Sequence, residues 1–196
     1  MPGNHIVEEE IFTHEYLWRS SSTLAELVDE DEDANYHLII PALVITVMAF
    51  EAFVNFCGFA LLPERWANER EKFRGQGIDG KLAAIAEQLP QFELRKGYEP
   101  YQSIKKLFVF RDLVAHGKVH ANRYETERQE DGSHFRWEHP WDSYLSREAV
   151  AKARSDVRSF CQRLVVAMRH EPDHHPHLLH DAFEGPLASG SGHGAA

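Results

Sequence analysis

The sequence predicts an all-α protein, an antiparallel bundle of about five helices with a hairpin or long-loop insertion and a disordered C-terminal tail. Three observations support this fold class. Apolar residues recur at helical spacing in several segments, which indicates amphipathic helices. Proline or glycine stands where most of these segments end. The chain has 196 residues and 43% hydrophobic content, which suits one domain with a substantial core and argues against a disordered chain.

The limits of the helices follow from capping and breaking residues. The predicted helices cover residues 14–27, 34–62, 64–73, 79–89, 101–116 and 146–170. Pro41 sets the first regular turn of the second helix near Ile40, and Pro63 ends it. Gly117 is the C-terminal cap of the helix before it. Ser146 is the N-cap of the last helix, because its hydroxyl can accept from a free backbone N–H.

Two segments lack the helical pattern. In residues 119–145 polar and aromatic residues alternate around the turn signal Asp131-Gly132, so we expect a surface hairpin or a long loop there. Residues 171–196 are rich in His, Gly and Ser and poor in large apolar residues, which is typical of a disordered tail. The sequence therefore predicts one domain, residues 1–170, that carries an insertion and precedes a tail.

The apolar stretch 38–62 is long enough to cross a membrane. However, Glu51 lies in its middle, where lipid penalises a carboxylate. Acids at Asp29–Asp33 precede it and the only nearby base is Arg65, so the basic flank typical of a membrane helix is missing. A buried core helix is therefore favoured over a membrane helix. No signal peptide is recognisable at the N-terminus, and Cys57 and Cys161 lie in apolar segments, so we expect a cytoplasmic protein with reduced cysteines.

The formal net charge is −10, from 21 Lys and Arg against 31 Asp and Glu. This balance excludes indiscriminate coating of nucleic acid, which needs a broad basic surface. Much of the excess acid lies in Glu8–Glu10 and Asp29–Asp33, whereas Lys105, Lys106 and Arg111 lie on one predicted helix. A narrow, locally basic cleft is therefore compatible with the composition.

The segment LFVFRDLVAHGK contains the most informative pair of residues. Arg111 is in line with apolar residues of its helix, so it needs an anion or a wet cleft. His116 precedes the capping Gly117 at the negative end of the helix dipole. Five residues separate the two side chains by about 140° around a helix. Either the histidine reaches around the helix end, or two chains share one site.

A second pair of polar residues interrupts the longest apolar helix. Glu51 and Asn55 in MAFEAFVNF are four residues apart and therefore share one helix face. A carboxylate in apolar surroundings needs a partner. Arg111 is the expected partner of Glu51, since the two most apolar helices should pack side by side. On these grounds alone, a structural ion pair of Arg111 with Glu51 or Asp112 and an ordinary helix-ending His116 are the simpler interpretation.

The stretch FRDLVAHGK resembles the R-x4–6-H motif of HEPN domains, and ALVITVMAFEAFVNF resembles the earlier HEPN helix that carries a glutamate facing that motif. The resemblance covers roughly residues 35–170 in helix order. It implies a metal-independent endoribonuclease that works as a homodimer, with the motifs of both chains facing one cleft. It further implies a role in a toxin–antitoxin, abortive-infection or similar defence system, with RNA as substrate, an antitoxin as a possible partner and no cofactor.

The resemblance also implies roles for individual residues. His116 would be the general base for the ribose 2′-OH or the acid for the leaving 5′-oxygen, and Arg111 would stabilise charge on the phosphate. Asp112 or Glu51 would orient one of them, Asn55 accompanies Glu51, and Lys118 would add a phosphate contact. The products would carry 2′,3′-cyclic phosphate and 5′-OH ends. The alternative is a non-catalytic HEPN scaffold or a binding or immunity module, which the acidic composition favours.

Other candidate sites are weaker. The tail histidines could bind a transition metal, although a disordered His-rich tail without a metal is the favoured interpretation; they are His170, His174, His175, His177 and His180. Aromatic residues of the insertion, Phe135, Trp137 and Trp141, could stack on unpaired bases beside Arg136, or could fix the insertion onto the bundle. We expect no metal site among the principal candidates.

Overall fold

The computed structural model describes residues 11–28, 35–117, 141–170 and 182–183, and these residues form helices, turns and loops without a β-strand. The all-α prediction is therefore confirmed for this part of the chain. The helices are α1 (Thr13–Glu26), α2 (Tyr36–Leu61), α3 (Pro63–Trp66), α4 (Glu69–Lys72), α5 (Gly77–Gln88), α6 (Tyr101–His116) and α7 (Arg147–Arg169). A single 3-10 turn, Asp142–Tyr144, precedes α7.

The long helix α2 is the centre of the fold, because α1, α3, α5, α6 and α7 all pack on it. Its side chains supply a core in which Phe50 meets Phe108 of α6 and Phe160 of α7 edge to face, with ring centroids 6.1 and 5.5 Å apart. By length and composition α2 could also cross a membrane, and half of its most apolar stretch is buried by the rest of the fold. Burial of this kind is what a core helix requires.

Several predicted helix limits agree with the structure. α6 ends at His116, and Gly117 has the left-handed conformation of a helix cap, with φ of 48°. The hydroxyl of Ser146 accepts a hydrogen bond of 3.1 Å from the backbone N–H of Ala149 and caps α7. The predicted insertion lies outside the described residues except for its end, 141–145, where Trp141 and Tyr144 pack against the core.

Two helix predictions were wrong in detail. α2 begins at Tyr36 and continues through Pro41, so Pro41 does not delay its start. A proline removes one backbone hydrogen bond, and burial of neighbouring residues such as Ile39 and Leu43 offsets that loss. The predicted helix 64–73 is divided into α3 and α4 at Ala67 and Asn68. This break lets the buried Trp66 and Phe73 meet, with centroids 4.7 Å apart.

The tail contributes to the core at one point. Ala182 and Phe183 are buried, and the Phe183 ring stacks on Trp18 of α1 with centroids 4.0 Å apart. The guanidinium of Arg154 also lies over the Trp18 ring, at 4.1 Å from its centroid. The prediction of a wholly disordered tail therefore does not hold for these two residues, because one aromatic ring suffices to occupy an apolar gap. The rest of 171–196 lies outside the described residues.

Gly58 allows α3 to approach α2. A Cβ atom at Gly58 would overlap the indole ring of Trp66, so only glycine leaves room for that ring. We predict that Gly58→Ala destabilises the fold by about 1–3 kcal/mol, as overpacking does, although helix propensity alone favours alanine by about 1 kcal/mol. Urea unfolding of the variant and the wild type measures this change in the free energy of unfolding. Gly97→Ala is the control, since no atom lies near its Cβ position. An unchanged or higher midpoint for Gly58→Ala would contradict the close approach.

His14 makes stability depend on pH. It lies in an aromatic box beside Phe12, Phe53, Phe56 and Phe183, and burial lowers its pKa from 6.5 to about 4. Between these values the unfolded chain binds a proton that the folded chain does not, so stability falls as pH falls from 6.5 towards 4. The loss amounts to about 3 kcal/mol for a shift of this size.

We predict that His14→Phe removes most of this pH dependence, because the phenyl ring suits the box and cannot be protonated. Urea unfolding at intervals between pH 7 and pH 4 measures it. The matched control is His37→Phe, since His37 is exposed, and it should keep the wild-type slope. An equal slope in His14→Phe and wild type would assign the dependence to other groups.

Candidate functional site

The polar face of α2 is the starting point of the candidate site. Glu51 is the only Asp, Glu, Lys or Arg of α2, and both Glu51 and Asn55 are half-buried. Because they are one helical turn apart, they point to the same side of an otherwise apolar helix. The helices that pack on this side must therefore supply the donors that these two side chains need.

α5 supplies a buried lysine to this face. The Lys81 side chain is only 7% exposed, and its ammonium donates a hydrogen bond of 2.8 Å to Asn55 Oδ1. It also forms an ion pair with Glu69 of α4 and lies 4.0 Å from Glu51 Oε1. Three oxygen-bearing side chains thus surround one buried cation, which is the condition for burying a charge at acceptable cost.

α6 supplies Arg111 to the other side of Glu51. Arg111 Nη2 lies 3.9 Å from Glu51 Oε2, so the expected ion pair is present. Its guanidinium carbon also lies 5.3 Å from the centroid of the Phe108 ring. The Arg111 side chain is 32% exposed, and therefore it is both attached to the core and reachable from outside.

The donors of Arg111 are not fully used. Arg111 Nε is 3.1 Å from Asp112 Oδ1, within ion-pair reach. The geometry is not that of a hydrogen bond, however, and Nε is buried without a hydrogen-bond partner among the described residues. A guanidinium has five N–H donors in a rigid fork. Because Nε itself is buried, an anion such as a phosphate can meet this 32% exposed side chain only through its terminal Nη groups.

The indole of Trp66 closes the inner side of the cluster. Trp66 Nε1 donates a hydrogen bond of 3.4 Å to Asn55 Oδ1, the same oxygen that accepts from Lys81. Asn55 therefore connects α2 to both α3 and α5. The uncharged amide of Asn55 is part of a larger polar network. That network includes two cations and three acids, namely Lys81, Arg111, Glu51, Glu69 and Asp112.

His116 does not belong to this cluster within one chain. It is the last residue of α6 and is exposed. The last turn of α6 does not pack into the core, since Ala115 is exposed and Val114 is only half-buried. The buried side chains of α6 all lie within 101–110, because its last turns extend past the apolar contacts with α2 and α7. His116 is therefore presented to solvent on a different side from Arg111.

The structure thus brings Glu51, Asn55, Arg111 and Asp112 together, leaves His116 apart, and does not describe Lys118. Sequence reasoning missed Lys81 and Glu69. Lys81 had a detectable signal, since it occupies a core position in the series Ile78, Lys81, Leu82, Ile85. Glu69 had none, because it belongs to a short, highly charged helix.

A second polar cluster joins the beginnings of α5 and α6. The hydroxyl of Tyr101 donates a hydrogen bond of 2.5 Å to Asp79, and Lys105 Nζ lies 3.0 Å from both Asp79 carboxylate oxygens. Burial acts to raise the pKa of Asp79, but these bonds outweigh it and lower that pKa. Lys105 is therefore committed to an acid, which weakens the predicted basic character of α6.

The described residues include no group of three or more His, Cys, Asp or Glu that could hold a metal ion. Of the tail histidines, only His170 lies within the described part of the chain, and of the insertion aromatics only Trp141 does. Cys57 and Cys161 are buried free thiols, and burial raises the pKa of both, so they are poor nucleophiles.

No protein-family model, no curated protein and no solved structure matches this chain. Because a helical fold alone does not specify an activity, the function has to be argued from the chemistry of the residues that this fold brings together.

Proposed function

We propose that this protein is a metal-independent endoribonuclease of HEPN type that acts as a homodimer in the cytoplasm, in a toxin–antitoxin or abortive-infection role. The observation that carries the proposal is the partly committed Arg111 beside Glu51, with His116 exposed at the end of the same helix. A partly exposed arginine whose ion pair with Glu51 is open suits a phosphodiester, and an exposed imidazole is accessible to a substrate for proton transfer.

In the proposed reaction His116 removes the proton from a ribose 2′-OH, and the resulting alkoxide attacks the adjacent phosphorus. Arg111 stabilises the negative charge that develops on the phosphate oxygens. The P–O5′ bond breaks, and the leaving oxygen takes a proton from water. The products are a 2′,3′-cyclic phosphate and a 5′-OH end. No metal or cofactor takes part in this scheme.

The separation of Arg111 and His116 supports a site shared by two chains. Within one chain they differ by about 140° around α6, so one phosphodiester is poorly placed to meet both. A two-fold axis beside α6 places Arg111 of one protomer near His116 of its partner. RNA and a second copy of this chain are therefore the proposed partners, with a neutralising antitoxin as a further one.

A second candidate function is a non-catalytic scaffold or an immunity module. The observation that favours it is charge: among the described residues of this cluster, the three acids Glu51, Glu69 and Asp112 are paired with two cations, Lys81 and Arg111. A surplus of one negative charge opposes the approach of RNA. In this function Arg111 would remain a structural residue and the chain would bind a protein partner.

We predict that purified protein cleaves RNA in EDTA and that Arg111→Ala and His116→Ala each lower the rate by about 10²–10⁴-fold, the usual contribution of such groups. Gel assays with end-group analysis measure rate and products. Arg70→Ala and His37→Ala are matched controls, since both residues are exposed elsewhere. Undiminished cleavage by Arg111→Ala or His116→Ala would contradict the mechanism. A strict requirement for a metal would also contradict it.

We also predict that a mixture of the two inactive variants regains activity. Each heterodimer contains one complete site, with Arg111 from one chain and His116 from the other. Random re-association then restores up to about a quarter of the wild-type rate. The variants are mixed under mild dissociating conditions, restored to buffer and assayed. A mixture as inactive as its components, although heterodimers are detected, would show that each site belongs to a single chain.

A further inference from the structure

Lys81 has no place in the proposed reaction, yet it is the most buried charge of the site. Its side chain is 7% exposed, so it is inaccessible to a phosphate or another large ligand. Its ammonium is bound by Asn55 and Glu69 and lies near Glu51. A lysine is almost never buried to this extent without a structural or functional need.

The Glu51 carboxylate is divided between two cations. Its Oε1 lies 4.0 Å from Lys81 Nζ, and its Oε2 lies 3.9 Å from Arg111 Nη2. A closed arginine–carboxylate pair has two N–H···O bonds of about 2.7–2.9 Å. Glu51 makes no such pair with Arg111, and the Nε donor of Arg111 has no hydrogen-bond partner among the described residues.

We propose that Lys81 is a positioning residue that holds Glu51 back from Arg111 and so keeps the guanidinium available for a phosphate. Without the Lys81 charge, Arg111 is the remaining cation beside Glu51 in the described part of the chain. The carboxylate then closes onto the guanidinium and occupies two of its donors. Only the kinetic consequence of this inference rests on the proposed ribonuclease function.

A purely structural lysine makes a different prediction. If Lys81 only joined α4 and α5 to α2, its loss would lower the stability of the fold and leave the chemical state of Arg111 unchanged. The two possibilities are therefore separated by a measurement on Arg111 itself. Phenylglyoxal modifies arginine side chains whose donors are free, and mass spectrometry reports its rate at each arginine.

We expect Lys81→Met to lower the rate of Arg111 modification roughly tenfold, the size of a typical coupling between neighbouring charges. Adding Glu51→Gln should restore that rate, since the neutral amide does not close onto a cation. Lys152→Met is the matched control, because Lys152 pairs with Asp156 on the exposed face of α7. Circular dichroism and urea unfolding establish that each variant is folded.

An unchanged Arg111 rate in folded Lys81→Met, or the same decrease with Glu51→Gln present, would overturn the inference. If Lys81→Met does not fold, Lys81→Gln replaces it, since its amide still donates to Asn55. In the cleavage assay, Lys81→Met should lower kcat roughly tenfold with a smaller change in KM, because Arg111 acts on charge that develops in the transition state, and Lys81→Arg should recover part of kcat.

The two assays test the proposed function and the positioning role of Lys81 independently. If wild-type protein does not cleave RNA, the proposed function fails, while Arg111 modification still decides the role of Lys81. If wild-type protein cleaves RNA and Lys81→Met alters neither the modification of Arg111 nor kcat, only the positioning role fails.

Discussion

The carboxylate of Glu51 is the one charge that the central helix introduces into its own apolar surroundings, and the candidate site is built around it. α2 contacts α1, α3, α5, α6 and α7, so Glu51 can be satisfied only by helices that pack there for apolar reasons. α5 supplies Lys81 and α6 supplies Arg111. Hydrophobic burial therefore brings the helices together, and the ion pairs orient them.

This arrangement leaves Arg111 short of a complete set of partners. A stability-optimised fold would close the pair with Glu51 and give Nε an acceptor, whereas here Nε is buried without one. A buried donor without an acceptor lowers the stability of a fold by about 1–3 kcal/mol. Arg111, rather than the more buried Lys81, is the proposed contact for phosphate because its pair with Glu51 is open and its side chain is 32% exposed, against 7% for Lys81.

Local patterns predicted local features well. The end of α6 at His116, the left-handed Gly117 and the Ser146 cap depend on residues within one helical turn, and sequence spacing reports these directly. Features that depend on distant residues were missed or misplaced. His116 stands apart because α6 extends beyond its apolar contacts. α3 and α4 are separate, and this break lets Trp66 meet Phe73. Phe183 is buried because α1 provides a ring to stack on.

The sequence by itself determined the helical class, most helix ends, the placement of Arg111 on an inward face and its pairing with Glu51. These follow from helical periodicity and from the cost of an unpaired buried charge. Only the tertiary structure decided that Lys81 and Glu69 join the site and that His116 stands apart from Arg111. The contacts between side chains of different helices depend on the packing angles and on how far each helix extends past its neighbours. The residues of any one helix determine neither of these.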